Sequence, residues 1–396
     1  MNALISDSKK VDSIISIIKK VTKKKKIIPL HDPSINNSDL ISVNKALKSR
    51  QISTYGNFTN IFEKKIKKYT KSNYVVATIN GTSAIHISLI LAGVKQDDEV
   101  LLSTLGFVSS VNAVSYLKAK PHFVDCDEAT LGVDPVKLDL YLKKISILKK
   151  NNCINKKNGN IIRALIVTHV FGNPCEIDKI FQITKKYKIK LIEDSAEALG
   201  SWYKKKHLGT FGDFGVLSFN GNKIITTGGG GAILLKNLKI AKKAFHITKN
   251  MKIKSKFEQE FQGIGFNYRL PSLNAALGCS QIDKLPIFLK KKKILNTLYY
   301  KNFNKLLFLK FLKPIKQSKS NNWLQAIILN KNYTHLRGKI MKRAHLKKIE
   351  VRPVWKLLHR MRIYKDCQKM NLDNALSFEK RIINIPSSQN LINERK

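Results

Sequence analysis

Residues 190–231 read KLIEDSAEALGSWYKKKHLGTFGDFGVLSFNGNKIITTGGGG. Leu191 and Ile192 form the apolar heart of a short buried strand, Lys190–Ile192, which is followed at once by two carboxylates, Glu193 and Asp194. Further strands are expected at Gly215–Phe219 and Ala232–Leu235, with glycine-rich connections before and between them. In a parallel sheet, ligands bind outside the carboxyl ends of the strands. A carboxylate there pairs with a protonated ring nitrogen of a ligand, or simply caps a helix; the strand by itself leaves both open. The glycines do not follow the dinucleotide-binding spacing, and no helix follows them closely; without GKS or GKT there is no P-loop either. Lys223 comes just after a strand and is ringed by small and hydroxyl residues. Desolvation would make such a lysine a nucleophile. The other reading is one more solvated lysine in a lysine-rich chain.

Working outward, short apolar runs alternate with helical stretches from about residue 73. Strands are expected at Tyr74–Thr78, Glu99–Ser103, His122–Asp125 and Ala164–Val170. Helices are expected at Thr82–Leu91, Val108–Leu117, Pro135–Leu148 and Ile177–Tyr187. This alternation predicts an α/β fold with a mostly parallel central sheet. Asn80-Gly81-Thr82-Ser83 ends a strand and opens a helix, where free backbone N–H groups and two hydroxyls suit a phosphate, or serve only as an ordinary capped turn. Phe107 opens the next β-α unit and either covers a ligand or packs in the core. Lys149–Asn160 is polar and reads as a surface loop. Beyond about residue 280 the chain turns lysine-rich, helical and poor in glycine. We expect an N-terminal helical segment (1–30), a large domain (31–280) and a smaller C-terminal α/β domain (281–396). The first segment carries an amphipathic helix marked by Ile14, Ile15, Ile17 and Ile18; its charges follow the apolar run, unlike those of a secretory leader.

A length of 396 residues favours two domains. No run of ~18 apolar residues suggests a membrane span. The five cysteines, at 126, 153, 175, 279 and 367, form no CxxC pair, so neither zinc nor a disulfide framework is expected, and a reducing cytoplasm fits. The net charge of +46 raises nucleic-acid binding as a possibility. The lysines are spread along the whole chain beside an excess of Ile and Asn, which fits compositional bias better, so no nucleic-acid partner is expected. The charge would still attract anionic nucleotide diphosphates.

A phosphate site, a strand-end acid and a downstream lysine are together what pyridoxal 5'-phosphate requires: the lysine holds its aldehyde and the acid keeps its ring nitrogen protonated. The order NGTSA (80–84), NAV (112–114), IEDSAEALGS (192–201), GTFGDFG (209–215), SFNGNKIITTGGGG (218–231) and GFNYRLPSLNAALG (265–278) resembles the DegT/DnrJ/EryC1/StrS family of sugar aminotransferases over nearly the whole chain. The resemblance implies the fold-type-I architecture of pyridoxal-phosphate enzymes and a homodimer with shared active sites. It implies that Lys223 bonds the cofactor and that Asp194 faces its ring nitrogen. Gly81, Thr82, Ser83, Ser218 and Asn220 fall at the cofactor, with the two hydroxyls of the NGTS turn and that of Ser218 on its phosphate. Phe107 would stack on the ring. Asn267 would reach the partner subunit's cofactor, and Arg352 would contact the nucleotide-sugar.

The departures from the family pattern are informative. Glu197 stands where Gln is common, near the ring hydroxyl; Gly229 replaces Glu, and Gly106 replaces Thr. Glu197 and the TTGGGG variant resemble a branch that aminates C4 of UDP-4-keto-6-deoxy-GlcNAc, with L-glutamate as donor, for bacterial surface polysaccharide or glycoprotein sugars. Gly106 matches no pattern of that branch and is expected to loosen the cofactor site. The competing readings are another nucleotide keto-sugar, a dehydratase of the same fold, a basic nucleic-acid-binding protein and a non-catalytic relative. The dehydratases carry histidine at the lysine position, and the intact Lys223, Asp194 and Asn267 speak against the last.

Overall fold

The computed structural model describes residues 6–23, 26–54, 56–253 and 258–392; the parts of the expected terminal segments at 1–5, 24–25 and 393–396 lie outside them. Three helices come first: α1 (Asp7–Thr22), α2 (Asn37–Lys48) and α3 (Asn57–Thr70). The alternating region follows as β1 (Tyr74–Thr78), α4 (Gly81–Leu91), β2 (Glu99–Ser103), α5 (Val108–Tyr116), β3 (Lys120–Val124) and α6 (Pro135–Ile145). It continues through β4 (Ser146–Lys149), β5 (Asn152–Asn155), β6 (Ile162–Thr168), α7 (Ile177–Lys186) and β7 (Lys190–Asp194). The short strands β8 (Trp202–Tyr203) and β9 (Lys206–His207) lead to β10 (Phe214–Ser218), β11 (Gly231–Leu235), α8 (Leu238–Ile247) and the long α9 (Ser272–Phe303). The rest comprises β12 (Leu309–Phe311), β13 (Ser318–Lys319), β14 (Gln325–Leu329), α10 (Leu336–Leu346), β15 (Arg352–Pro353), α11 (Asp373–Glu379) and β16 (Ile382–Ile385).

The central sheet has seven strands in the order β1-β11-β10-β7-β6-β2-β3. The pairings from β10 to β3 are parallel, while β11 runs antiparallel to both neighbours. Strand residues alternate between faces, so Val100, Leu102, Ile166 and Ile192 pack with α4, α5 and α8, whereas Leu101, Leu165, Val167 and Leu191 pack with α6 and α7. Both faces are covered, which is why these strands read as continuous apolar runs rather than alternating ones.

Two expectations need correction. The helix expected to reach Leu148 stops at Ile145, and Lys149–Asn160 is not simply a loop. Ser146–Lys149 pairs antiparallel with Asn152–Asn155 across a tight turn in which Lys150 and Asn151 both take positive φ, 46° and 65°. Such backbone matches the twist of a two-residue hairpin, and asparagine tolerates it. The hairpin also satisfies a buried charge, since Asn155 Nδ2 and Asn158 Nδ2 donate to the Glu99 carboxylate at 2.9 and 2.6 Å.

A second, antiparallel sheet, β12-β14-β16-β15, lies in the C-terminal part. Helix α1 belongs with it in space. Val11, Ile14, Ile15, Ile18 and Val21 join one core with Leu295, Tyr299 and Phe303 of α9 and with Leu336, Ile340 and Ala344 of α10. Asp7–Lys339 (2.8 Å) and Asp12–Arg343 (2.9 Å) flank that contact. We propose a division of the chain near residue 280, with α9 running through it and serving both parts.

Candidate active site

The site forms where the central sheet's carboxyl ends meet the C-terminal part. Strand β1 ends at Thr78, and the Asn80 side chain caps α4 by accepting from the Ser83 N–H at 2.7 Å. The N–H groups of Gly81 and Thr82 lie in the first turn and have no acceptor within the helix. A Cβ at Gly81 would come within 3.1 Å of Ser218 Cβ, so glycine lets the α4 N-terminus close against the end of β10. A Cβ at Gly231 would come within 2.5 Å of the Asn80 backbone. Two of the glycines thus serve close packing of backbone around this turn.

The side chains of β7 alternate. Asp194 faces the α5 side, where Ser110 Oγ donates to it at 2.8 Å and the Ala196 N–H at 3.2 Å. Glu193 points to the other face and is fully buried. It accepts from His169 Nε2 (3.1 Å) and from the N–H groups of Gly209, Phe211 and Gly212 (2.8, 2.6 and 2.6 Å). Burial pushes the Glu193 carboxyl up, but the hydrogen bond and charge of His169 and the backbone donors outweigh it, leaving the group below the usual range. GTFGDFG is therefore a loop wound onto a buried carboxylate. A Cβ at Gly215 would run into the Gly209 carbonyl, which accounts for that glycine.

Lys223 follows β10 in a turn closed by its N–H on the Asn220 carbonyl, 2.9 Å. Its ammonium lies 3.6 Å from Glu197 Oε1 and 4.0 Å from the centre of the Trp323 ring, and its side chain is only 13% exposed. Trp323 is held by its own Nε1–H on the Asn222 carbonyl, 2.7 Å. The other Glu197 oxygen accepts from the Phe171 N–H at 2.8 Å, and Phe171 takes a left-handed backbone, φ 57°. Burial pushes the Glu197 carboxyl up to about 7 against the opposing pull of Lys223.

Asp194, Glu197, Lys223, Trp323 and the start of α4 line one cavity of about 500 Å³. Of the residues singled out in the sequence, Gly81, Thr82, Phe107, Asp194, Glu197, Ser218, Asn220, Lys223 and Arg352 line it. Ser83 is buried behind the wall, and Asn267 is exposed away from the cavity. Phe107 is not core packing: it is 51% exposed and meets Trp355 edge-on at 6.4 Å. A Cβ at Gly106 would stand 3.7 Å from Thr168 Oγ1 and from the Ser103 carbonyl, an ordinary contact, so a side chain fits there and glycine leaves room beside Phe107.

His31, Trp323, Trp355 and Asn384 also line the cavity and were not found in the sequence. His31, Trp323 and Asn384 come from segments remote in the chain with no motif of their own, and only the tertiary fold brings them in; Trp355 lies close to Arg352 in sequence but carried no sign of its role. A larger groove, about 1000 Å³, runs along α3 and α8, but its charged lining residues are Glu63 and a set of lysines, with no second acid opposite a buried amine.

The donor set fits pyridoxal phosphate: one amine shielded from water, two buried carboxylates (Asp194 and Glu197), and a helix N-terminus beside hydroxyls, all on a single cavity. Among the described residues no group of three His, Cys, Asp or Glu could hold a metal ion, and no helix is long and apolar enough to cross a membrane.

Known proteins share both the sequence pattern and the fold. The DegT/DnrJ/EryC1/StrS aminotransferase family model matches residues 33–396. GDP-perosamine synthase of Escherichia coli O157:H7 is 33% identical over 372 residues, 93% of this chain and 96% of that protein. UDP-4-amino-4,6-dideoxy-N-acetyl-beta-L-altrosamine transaminase of Campylobacter jejuni (strain 81-176) is 30% identical over 360 residues, 90% and 92% of the two chains. In fold, the chain is similar to Helicobacter pylori PseC, an aminotransferase involved in the biosynthesis of pseudoaminic acid. The TM-score is 0.84 over 93% of this chain and 96% of that one, at 24% identity.

Proposed function

The chain belongs to the DegT/DnrJ/EryC1/StrS aminotransferase family and is a pyridoxal-phosphate-dependent sugar aminotransferase; on that premise we propose that it aminates C4 of a UDP-linked 4-keto-6-deoxy-N-acetylhexosamine with L-glutamate as donor. It would work as a cytoplasmic homodimer that supplies surface polysaccharide or glycoprotein sugars. The observation that carries the aminotransferase chemistry is the convergence of Lys223, Asp194 and the α4 N-terminus on one cavity.

Bound pyridoxal phosphate supplies an aldehyde carbon to a lysine and a ring that accepts an electron pair. Lys223 would hold the aldehyde, Asp194 would keep a proton on the ring nitrogen, and the Gly81 and Thr82 N–H groups with Ser218 would bind the phosphate. Phe107 would cover the ring. The Lys223 amine would then take the proton from Cα of glutamate and later deliver one to the sugar carbon that carried the carbonyl. One positioned amine would serve both transfers, as base in the first and acid in the second. Glu197, 3.6 Å from that amine, would be a second group able to exchange a proton with it, and Arg352 carries the charge that suits the nucleotide diphosphate.

The C4 position and the 6-deoxy sugar are supported by the name of the Campylobacter relative. A GDP-linked sugar is the second reading, favoured by the Escherichia coli GDP-perosamine synthase, which is 33% identical over nearly its full length. The homodimer is supported by exposed apolar residues near Asn267, namely Phe261 (53% exposed) and Ile264 (90%). The test is release of 2-oxoglutarate with each keto-sugar, the product identified by NMR. Turnover of UDP-4-keto-6-deoxy-GlcNAc to a 4-amino sugar is expected. Turnover of GDP-4-keto-6-deoxymannose alone would replace the first reading by the second.

A further inference from the structure

We propose that His31 binds a hydroxyl group on the hexose ring of the keto-sugar, in the cavity that the Asn384 amide also lines. This rests on the reading of the site as a sugar aminotransferase.

His31 reaches the cavity on the segment that follows α1, and that segment is firmly placed. Ile28 N–H donates to the Lys348 carbonyl (3.0 Å) and Glu350 N–H to that of Ile28 (2.9 Å). Leu30 N–H donates to Glu350 Oε2 (3.0 Å), and Ser387 N–H to the Leu30 carbonyl (2.6 Å). The His31 ring stands 6.4 Å from that of Trp323, whose face carries the Lys223 ammonium. His31 and Lys223 thus share Trp323 as a neighbour, and the charge of Lys223 is felt at the His31 ring.

Among the described residues, both ring nitrogens of His31 are buried without a hydrogen-bond partner, and so is Asn384 Nδ2. Buried polar groups in folded proteins are nearly always paired, so unpaired atoms on two residues that line the same cavity point to a ligand there. Lys292 does not do so; its ammonium is spent on the Trp323 and Ser387 carbonyls at 2.8 and 2.7 Å. Burial, then the charges of Lys292 and Lys223, keep the His31 ring well below its ordinary pKa and hence neutral. A neutral imidazole offers one donor and one acceptor. A hydroxyl can pair with either ring nitrogen, giving a hydrogen bond to one or taking one from the other; carboxylates and phosphates only accept, and in this cavity they suit Arg352.

The test compares holoenzyme with His31→Phe and His31→Gln. For His31→Phe the KM for the keto-sugar should rise about three- to tenfold, the worth of a lost neutral hydrogen bond. The KM for glutamate should be unchanged, and His31→Gln should recover most of the loss. An unchanged sugar KM in a folded His31→Phe protein, or a rise for glutamate instead, overturns the proposal while leaving the aminotransferase intact. Failure of the wild type to turn over any keto-sugar overturns both. Should His31→Phe not fold, the ¹⁵N resonances of the His31 ring in wild type, identified by their loss in His31→Gln, give the answer. They should shift with the nucleotide-sugar and not with glutamate; a shift with glutamate alone contradicts the assignment.

Discussion

At the scale of single residues, Glu197 is the group whose behaviour follows most directly from its surroundings. Its folded pKa of about 7 lies above the ordinary glutamate value of 4.5. The folded protein therefore holds a proton that the unfolded chain has released, and stability falls as pH rises from 4.5 to 7, then levels off. Without cofactor, Glu197→Gln should abolish that slope. Thermal melts at pH 5 and pH 8 should show the variant gaining on wild type at the higher pH, by up to about 3 kcal/mol for so buried a group. An identical pH profile in both proteins would show that Glu197 ionises normally. Lys223, Asp194 and Glu197 were legible in the sequence because each lies within a few residues of a strand end in a motif. Trp323, which lies against the Lys223 ammonium, was not, since a tryptophan about a hundred residues downstream carries no local sign of where it will pack.

At the scale of elements, the glycine-rich connections divide into positions that must lack a side chain and positions that need not. Gly231→Ala would drive a methyl into the Asn80 backbone and should cost ~1–3 kcal/mol in chemical denaturation. Gly229→Ala meets only the Ile79 carbonyl at 3.7 Å and should be close to neutral. Equal effects would contradict the close packing around the β1–α4 turn. Helix α1 lies before the family match, yet Ile18 is fully buried against α9 and α10. Ile18→Ala should destabilise by ~2–5 kcal/mol on the same measurement; a change within error would mean that α1 is not docked. The parallel strands were readable because sheets covered on both faces need unbroken apolar runs. The α6 end was not, because SILKKNNCIN carries no period that separates a last helical turn from a hairpin. Only its pairing, and the two asparagines on Glu99, decide it.

At the scale of the whole molecule, the exposed apolar residues beside Asn267 set the expectation for assembly. Ile264→Lys should shift the protein from dimer to monomer in light scattering and lower activity with it; a wild-type monomer with full activity would contradict the shared-site reading. The central claim is that Lys223 makes this chain an aminotransferase. It is tested most directly by the near-visible absorbance of protein reconstituted with pyridoxal phosphate, recorded before and after glutamate and then after the keto-sugar. The account predicts a band in wild type, absent in Lys223→Ala, that glutamate bleaches and the keto-sugar restores. A folded wild type that shows no band, or one whose band glutamate leaves unchanged, would contradict it.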